Sequence, residues 1–196
     1  HLETKSGVLM PRDIRLSKVK NVIFAAPSQS LHAVAKMANN NYGFEVINLG
    51  DALQGEAREV ARQQAEQAMQ IQNQLSDTDN PVLLLSGGEL TVTKNGNGIG
   101  GPNAEFCLAL AISLDKQIGI FGLAGDTDGV DGAAEIAGAF VTPNTLDDAE
   151  KAGISPQESL TQNDAHSFFG TIRSQIITGP TLTNVNDFRA ILIYPI

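Results

Sequence analysis

The sequence predicts an α/β fold in which helices flank a mixed, mostly parallel sheet. In the first 75 residues, apolar runs typical of buried strands alternate with segments of helical periodicity. This β-α-β-α order favours parallel strands joined by crossover helices. Several later apolar runs end at loops rich in glycine, aspartate and asparagine. With 42% hydrophobic and 18% charged residues, the 196-residue chain can form one sizeable core or two small ones.

The first part of the chain contains two predicted strands and two predicted helices. An apolar run at residues 19–26 predicts a buried strand, and a helix follows over residues 28–43, with Gly43 as a left-handed cap. The next strand is expected at residues 44–49. A longer helix is expected from residue 56 to about residue 75, because its apolar residues recur at helical spacing.

The second part of the chain is predicted to alternate strands and helices. Pro102 suits the first turn of a helix that extends to residue 114. Residues 90–93 alternate in polarity, so residues 86–89 either end a strand or form a hairpin turn. The other predicted elements are strands at 82–85, 117–123, 175–178 and 188–194, and helices at 133–139, 147–152, 156–160 and 165–169.

A change in composition near residues 76–80 predicts a domain boundary. The chain before it is rich in helix and carries few motifs, whereas the chain after it contains all the glycine-rich loops. We therefore expect a partial β-α-β-α segment over residues 1–78, the end of a Rossmann-like domain. A complete domain over residues 79–196 follows it.

Charge and cysteine content restrict the function. A net charge of −9, a pI near 4.7 and 5% aromatic residues argue against a nucleic-acid partner. No apolar run approaches the roughly 20 residues that span a bilayer, so we expect no membrane segment.

The lone Cys107 is predicted to be a buried structural residue, and a single thiol fits a cytoplasmic location. His32 and His166 have no partner at metal-ligand spacing and are expected to be structural or exposed.

Three polar loops form the strongest functional signal. They cover residues 86–103, 125–132 and 178–187, and each lies at or just beyond a predicted strand. Glycine lets backbone N–H groups approach a ligand closely, and neighbouring carboxylates and amides can bind a metal or hydroxyl groups. We therefore expect the three loops to converge at one edge of the sheet and form a small-molecule site.

Taken singly, each loop also has an ordinary structural explanation. Asp126, Asp128 and Asp131 repel one another unless a cation, donors or water intervene, and their spacing fits a cation site and a helix-capping turn equally well. The glycines before Pro102 fit a phosphate-binding helix terminus or a mobile linker equally well. They match neither a Walker A loop nor a convincing dinucleotide fingerprint. Residues 178–187 alone favour an ordinary turn.

Four motifs occur in order along the chain: Leu85-Ser-Gly-Gly-Glu-Leu-Thr-Val92, Gly100-Gly-Pro-Asn-Ala-Glu-Phe106, Asp126-Thr-Asp-Gly-Val-Asp-Gly132 with Ala137-Gly138, and Thr178-Gly-Pro-Thr-Leu-Thr-Asn-Val-Asn-Asp187. Together they resemble the C-terminal MOFRL domain of type 2 glycerate kinases, a family in which some members are named hydroxypyruvate reductase. Residues 49–57 look like the end of that family's preceding domain. The resemblance covers nearly the whole chain.

The resemblance implies transfer of the γ-phosphoryl group of ATP to the 2-hydroxyl group of D-glycerate, with Mg²⁺. It places Asp126 and Asp128 at the metal or the attacking hydroxyl, and it adds Glu89 to the catalytic group. The residues that it implies in substrate or nucleotide binding are Ser86, Gly87, Gly88, Asn103, Glu105, Thr181, Asn184 and Asp187.

The resemblance also implies an N-terminal half outside this chain, with a lysine that serves the phosphates, and a homodimer is a further expectation. Pro102 departs from the family pattern, because relatives carry an arginine there that could neutralise phosphate. No direct anion contact is therefore expected at Pro102. Two other functions stay open: an NAD(P)H-dependent hydroxypyruvate reductase, and a ligand-binding fragment that is inactive without the N-terminal half.

Overall fold

The computed structural model describes residues 9, 12–20, 22, 26–132 and 134–196. The strand expected at residues 19–26 falls largely on positions outside the described residues. Six strands form one sheet: β1 Glu45–Asn48, β2 Val82–Gly87, β3 Ile120–Asp126, β4 Gly138–Val141, β5 Gln175–Ile176 and β6 Asp187–Ile193. The helices are a 3-10 turn at Ile14–Leu16, α1 Pro27–Tyr42, α2 Ala57–Gln72, α3 Pro102–Leu114, α4 Thr145–Lys151, α5 Pro156–Thr161 and α6 Ala165–Thr171.

The sheet is mixed, as predicted, but it is not mostly parallel. The strand order is β1-β2-β6-β3-β4-β5, and only β1 and β2 pair in parallel. The C-terminal strand β6 enters between β2 and β3 and runs antiparallel to both, and β4 and β5 add further antiparallel pairs. The repeating order of the first part of the chain therefore does not extend to the second, because β6 inserts from a distant point of the sequence.

The helices cover the two faces of the sheet unequally. On one face, α3 packs against α2, β3 and β4, and this central helix is buried on nearly all sides, as its almost wholly apolar sequence requires. On the other face, α1 packs on β1 and β2. It ends at Gly43, whose φ of 70° confirms the predicted left-handed cap. The large core thus lies between the sheet and the helix pair α2–α3.

One local prediction is wrong, and the structure excludes one of two alternatives left open at residues 86–89. Residues 134–137 form no helix, and Gly138 begins β4, where it pairs with Gly125 of β3. Alanine suits a helix by propensity, yet here the small alanine and glycine residues allow two backbones to lie close together. Residues 90–93 form no hairpin with β2, because Thr91 makes an isolated parallel bridge with Glu56 at the start of α2.

The predicted division at residues 78 and 79 falls within a continuous sheet. Strand β1 comes from the first part and pairs along its whole length with β2 from the second part. Helix α2 of the first part packs extensively on α3 of the second. The boundary stays a prediction about domain organisation, while the described parts on either side share one core. Within the described residues, no helix has the length and apolar composition that a bilayer-spanning segment needs.

Candidate active site

The polar loops meet at one edge of the sheet, which we call the rim. It comprises residues 48–53 after β1, 87–89 at the end of β2, 126–131 at the end of β3, and 184–187 at the start of β6. These segments share an edge because β6 runs antiparallel to its neighbours, so that its first residues lie beside the last residues of β2 and β3. Gly87 pairs with Phe188, and Asp126 pairs with Asp187.

The loop after β3 and the loop before β6 are joined by hydrogen bonds. The Thr127 hydroxyl donates to the carbonyl of Asn186 at 2.8 Å and accepts from the N–H of Val185 at 2.9 Å. The Thr181 hydroxyl donates to the Thr127 carbonyl. Asn184 Nδ2 donates to Asp128 Oδ2 at 3.3 Å. The structure thus brings the predicted residues Thr181 and Asn184 against the aspartate loop.

Asp126 and Asp128 lie side by side on the rim. The N–H of Asp128 donates to Asp126 Oδ1 at 3.0 Å, and the N–H of Val130 donates to Asp128 Oδ1 at 2.8 Å. Burial raises the pKa of Asp126 to about 6, and repulsion from Asp128 and Asp187 acts in the same direction. No group of three or more potential metal ligands occurs among the described residues. The pair therefore offers two carboxylates, and any further ligands have to come from a bound molecule or water.

Asn103, at the start of α3, links the rim to the interior. Its Nδ2 donates to Asp187 Oδ1 at 2.8 Å and to Asp131 Oδ1 at 3.2 Å, while its Oδ1 is buried without a partner among the described residues. Burial raises the pKa of Asp187, and the hydrogen bond from Asn103 and the charge of Arg189 oppose that rise. Asn103 thus orients Asp187 on the interior side of the rim.

Asp131 is a helix cap and not a member of the carboxylate pair. Its side chain is buried and accepts from the N–H groups of Asn103 and Ala104, at 3.0 and 2.8 Å. Its Oδ2 also lies 3.2 Å from Nε2 of the buried His166. The carboxylate occupies the positive end of α3, so the anion site considered there in the sequence is already filled by a protein side chain.

The glycines that precede α3 are packed against neighbouring segments of the chain. The N–H of Gly98 donates to the carbonyl of Gln162 at 2.9 Å, and that of Gly96 donates to Asn163 Oδ1 at 2.9 Å. A Cβ atom on Gly101 would lie 2.4 Å from the Asp131 carboxyl carbon. The small size of these residues allows the loop to pack against the segment between α5 and α6 and against Asp131.

The end of β2 and the turn after it contain predicted site residues with different surroundings. Ser86 is buried, and its hydroxyl accepts from Gln64 Nε2 of α2 at 3.2 Å, so it faces the core. Gly88 has a φ of 107°, and a Cβ atom there would lie 2.3 Å from the backbone nitrogen of Leu53. Gly87 is also buried, and its N–H donates to the carbonyl of Gly50 at 2.8 Å. Both glycines therefore serve the close contact between the turn and residues 50–53.

Glu89 is the exposed member of this turn. Its side chain lines a surface cavity of about 260 Å³ together with Asp51, Gly88 and Asn186. This cavity opens on the rim, between the segment that follows β1 and the loop before β6. The predicted catalytic residue Glu89 is thus accessible to a small molecule.

Glu105 does not belong to the open part of the rim. Its carboxylate is buried and accepts from Arg58 at 2.7 Å and from Asn163 Nδ2 at 2.9 Å. Asn163 in turn accepts from the N–H groups of Asn95 and Gly96. Protein donors therefore occupy both oxygens of Glu105, which fastens α3 to α2 and to the segment before α6.

Sequence reasoning missed the rim residues Asp51, Thr127 and Asn186, and it missed Arg189, which is buried beneath the rim. The first three belong to polar loops in which many residues were equally plausible. Arg189 carried a clear signal, because it is a single charge in the apolar run at residues 188–194. Cys107, by contrast, is buried as expected, and burial raises the pKa of its thiol, so it is not a reactive group.

The fold and the rim define an open-sheet α/β protein with an acidic edge built from strand ends. A model of the MOFRL family matches residues 82–187, more than half of the sequence. The chain belongs to the MOFRL family.

Curated relatives carry two kinds of name. A protein of Agrobacterium vitis named "Putative hydroxypyruvate reductase" is 47% identical over 173 residues, which cover 87% of this chain and 45% of that protein. The D-glycerate 2-kinase of Thermotoga maritima is 35% identical over 183 residues, which cover 93% of this chain and 44% of that protein. The chain thus spans less than half the length of these relatives.

Solved structures agree with the fold. The crystal structure of a glycerate kinase from Thermotoga maritima matches 86% of this chain and 41% of its own chain, with a TM-score of 0.82 and 32% identity. A crystal structure of a protein from Pyrococcus horikoshii matches 91% of this chain and 41% of its own, with a TM-score of 0.83 and 30% identity. The mixed sheet with its flanking helices is therefore shared with these proteins.

Proposed function

We propose that this chain is the C-terminal part of a glycerate 2-kinase-like enzyme, which transfers the γ-phosphoryl group of ATP to the 2-hydroxyl group of D-glycerate. The observation that carries the proposal is the rim. Asp126 and Asp128 lie there beside Asn184 and Asp187, and Asn186 of the same loop lines the open cavity at Glu89. The relatives named as glycerate 2-kinases give the reaction class.

Phosphoryl transfer requires alignment and charge neutralisation rather than covalent participation by the protein. The paired carboxylates fit Mg²⁺, which is bound by one or two carboxylates together with phosphate oxygens. Burial is the main cause of the raised pKa of Asp126, and repulsion from Asp128 and Asp187 adds to it; a bound cation would offset both costs of the charged carboxylate. Bound there, Mg²⁺ would neutralise charge on the transferred phosphoryl group.

The protein residues have separate tasks in this proposal. Asp126 and Asp128 hold the metal or accept a hydrogen bond from the attacking hydroxyl of the substrate. Asn184 and Thr181 keep the aspartate loop in position, and Asn103 orients Asp187. Glu89 faces the ligand across the cavity at the end of β2.

The proposal assigns the phosphate-binding cations to a further N-terminal half of the enzyme. The rim segments carry several carboxylates, and the buried Arg189 is already bound to Asp187 and to Gly88. A phosphate group therefore needs positive charge from elsewhere. The relatives are more than twice as long as the matched region, which leaves room for such a half.

A reductase is the second candidate, because two relatives at 47% and 46% identity carry that name. The arrangement around α3 argues against it. A dinucleotide-binding fold places the pyrophosphate at a free helix N-terminus after a glycine-rich turn, whereas the Asp131 carboxylate occupies this position in the chain. The third candidate is a binding fragment without activity. In that case the chain binds Mg-ATP or glycerate but catalyses no reaction.

The test uses the complete natural protein. With ATP, Mg²⁺ and D-glycerate we expect 2-phosphoglycerate and ADP, and with NADH or NADPH and hydroxypyruvate we expect no oxidation of the cofactor. Oxidation of the cofactor without phosphoryl transfer would replace the kinase by the reductase. Binding with neither activity would leave the third candidate. A cytoplasmic location and a homodimer are further parts of the proposal, to be checked by fractionation and by the solution mass.

A further inference from the structure

Arg189 is a wholly buried charge on the central strand of the sheet. It belongs to β6, its side chain is 0% exposed, and it is the largest fully buried side chain among the described residues. Its guanidinium carbon lies 5.8 Å from the centre of the Phe106 ring of α3. Burying a guanidinium costs several kcal/mol unless its donors are paired, so a residue in this position needs a specific reason.

The partners of Arg189 both belong to the rim. Nη1 donates to Asp187 Oδ2 at 3.2 Å, and Nη2 donates to the backbone carbonyl of Gly88 at 2.5 Å. Nε is buried and has no partner among the described residues. The guanidinium therefore bridges the turn that follows β2 and the residue that begins β6, and its contact with Gly88 joins residues that are 101 positions apart.

Among the described residues, no other side chain donates hydrogen bonds to both the Gly88 carbonyl and Asp187. The neighbouring backbone pairs end at Gly87, which lies opposite Phe188, so Gly88 and Glu89 are beyond the ladder. A rigid planar fork with two aligned donors can fix both partners at once, which a flexible ammonium group cannot do. Arg189 thus supports the turn that carries the exposed Glu89 from beneath, in addition to the contact of Gly87 and Gly88 with residues 50–53.

We propose that Arg189 is a positioning residue of the rim, which holds the Gly88–Glu89 turn in register with Asp187. This inference rests on the proposed kinase function for its effect on turnover. Arg189 touches no ligand in this account. It acts through Gly88 and Asp187, and displacement of such groups by about 1 Å can lower a rate about 100-fold.

A merely structural role is the alternative, and Gln72 offers a matched control. Gln72 is also buried and also donates to a carbonyl of the C-terminal segment, but at the opposite end of the sheet. Its Nε2 lies 2.9 Å from the carbonyls of Tyr194 and Ile118. Gln72→Leu leaves these carbonyls unpaired and should lower stability without reaching the rim.

The test compares Arg189→Lys, Arg189→Met and Gln72→Leu in the complete natural protein, with rates expressed per folded molecule. For Arg189→Met we expect kcat to fall about 100-fold while KM changes by less than about 3-fold. For Arg189→Lys we expect a fall of about 10-fold, since the charge remains but the fork is lost. Gln72→Leu should keep kcat within about 2-fold.

A second readout does not depend on activity. In ¹H–¹⁵N spectra, the two Arg189 variants should shift the amide signals of Gly88 and Glu89, and Gln72→Leu should not. If Arg189→Met fails to fold, Arg189→Lys decides both readouts. Wild-type kcat in a folded Arg189 variant, or unshifted Gly88 and Glu89 signals, would overturn the proposal. If the wild-type protein transfers no phosphoryl group, the proposed function fails, and the spectra alone decide whether Arg189 positions the turn.

Discussion

Asp126, Asp128 and Asp131 occur within six residues but have different partners in the structure. Asp126 and Asp128 lie together on the rim, whereas Asp131 turns inward to cap α3 and contact His166. The spacing of the three aspartates fitted a cation site and a helix-capping turn equally well. In the structure, Asp126 and Asp128 form a carboxylate pair and Asp131 forms the cap. Local spacing could not separate the roles, because the residues that Asp131 caps lie 28 and 27 positions earlier in the chain.

The pKa of Asp126 predicts a pH-dependent stability. Because the folded-state pKa is raised from 3.8 to about 6, the contribution of Asp126 to the stability of the wild-type protein is most favourable at low pH and becomes less favourable as pH rises through this interval. Asp126→Asn removes the charge and keeps an oxygen that can accept from the N–H of Asp128. We expect the variant to exceed wild type in unfolding free energy by about 1 kcal/mol or less at pH 7.5, since water screens this half-buried group.

Urea denaturation at pH 3.5 and pH 7.5 measures this difference in unfolding free energy. The advantage of Asp126→Asn should vanish at pH 3.5, where both proteins carry a neutral side chain. Asp77→Asn, in the exposed turn after α2, is the control and should show no such pH dependence. An advantage that is the same at both pH values, or larger at the lower one, would contradict the assigned pKa.

At the level of the elements, periodicity predicted the helices well and the sheet poorly. Helix α3 has the predicted bounds, Pro102–Leu114, because the proline that favours its first turn and its long apolar run are both local signals. The insertion of β6 between β2 and β3 is a long-range event that no local pattern contains. The helix predicted at residues 133–139 was wrong, since strand pairing outweighed helix propensity there.

The cap on α3 gives a prediction about stability. Asp131→Ala removes the acceptor for two helix N–H groups and leaves His166 Nε2 without its carboxylate partner, all in a buried site. We expect a loss of about 3 kcal/mol in unfolding free energy. Ser155→Ala removes the exposed cap of α5 and should cost about 1 kcal/mol.

Urea denaturation of both variants at pH 7 provides the comparison. Equal losses for Asp131→Ala and Ser155→Ala would contradict the description of Asp131 as a buried cap that joins two helices. The amide signals of Asn103 and Ala104 should also move in Asp131→Ala, whereas Ser155→Ala should leave them unchanged.

Across the whole molecule, the rim is assembled from segments far apart in sequence. Residues after β1, β2 and β3 meet the first residues of β6, and the hydrogen bonds of Thr127, Asn184 and Arg189 join them. The sequence indicated that polar loops converge at one edge of the sheet. It could not indicate that Ser86 and Glu105 face protein partners, because those partners, Gln64 and Arg58, lie on α2. The part of the rim that is open to solvent is therefore smaller than the motifs suggest, and it includes the exposed Glu89 and the half-buried Asp126 and Asp128.

Asp128→Asn in the complete natural protein is the most direct test of this account, with Asp77→Asn as its control. The substitution removes one charge from the rim, and asparagine can still accept from the N–H of Val130. The measured quantity is the rate of 2-phosphoglycerate formation from ATP and D-glycerate per folded molecule. We predict a fall of at least about 100-fold for Asp128→Asn and no change for Asp77→Asn. Wild-type turnover in a folded Asp128→Asn protein would remove the rim from the reaction.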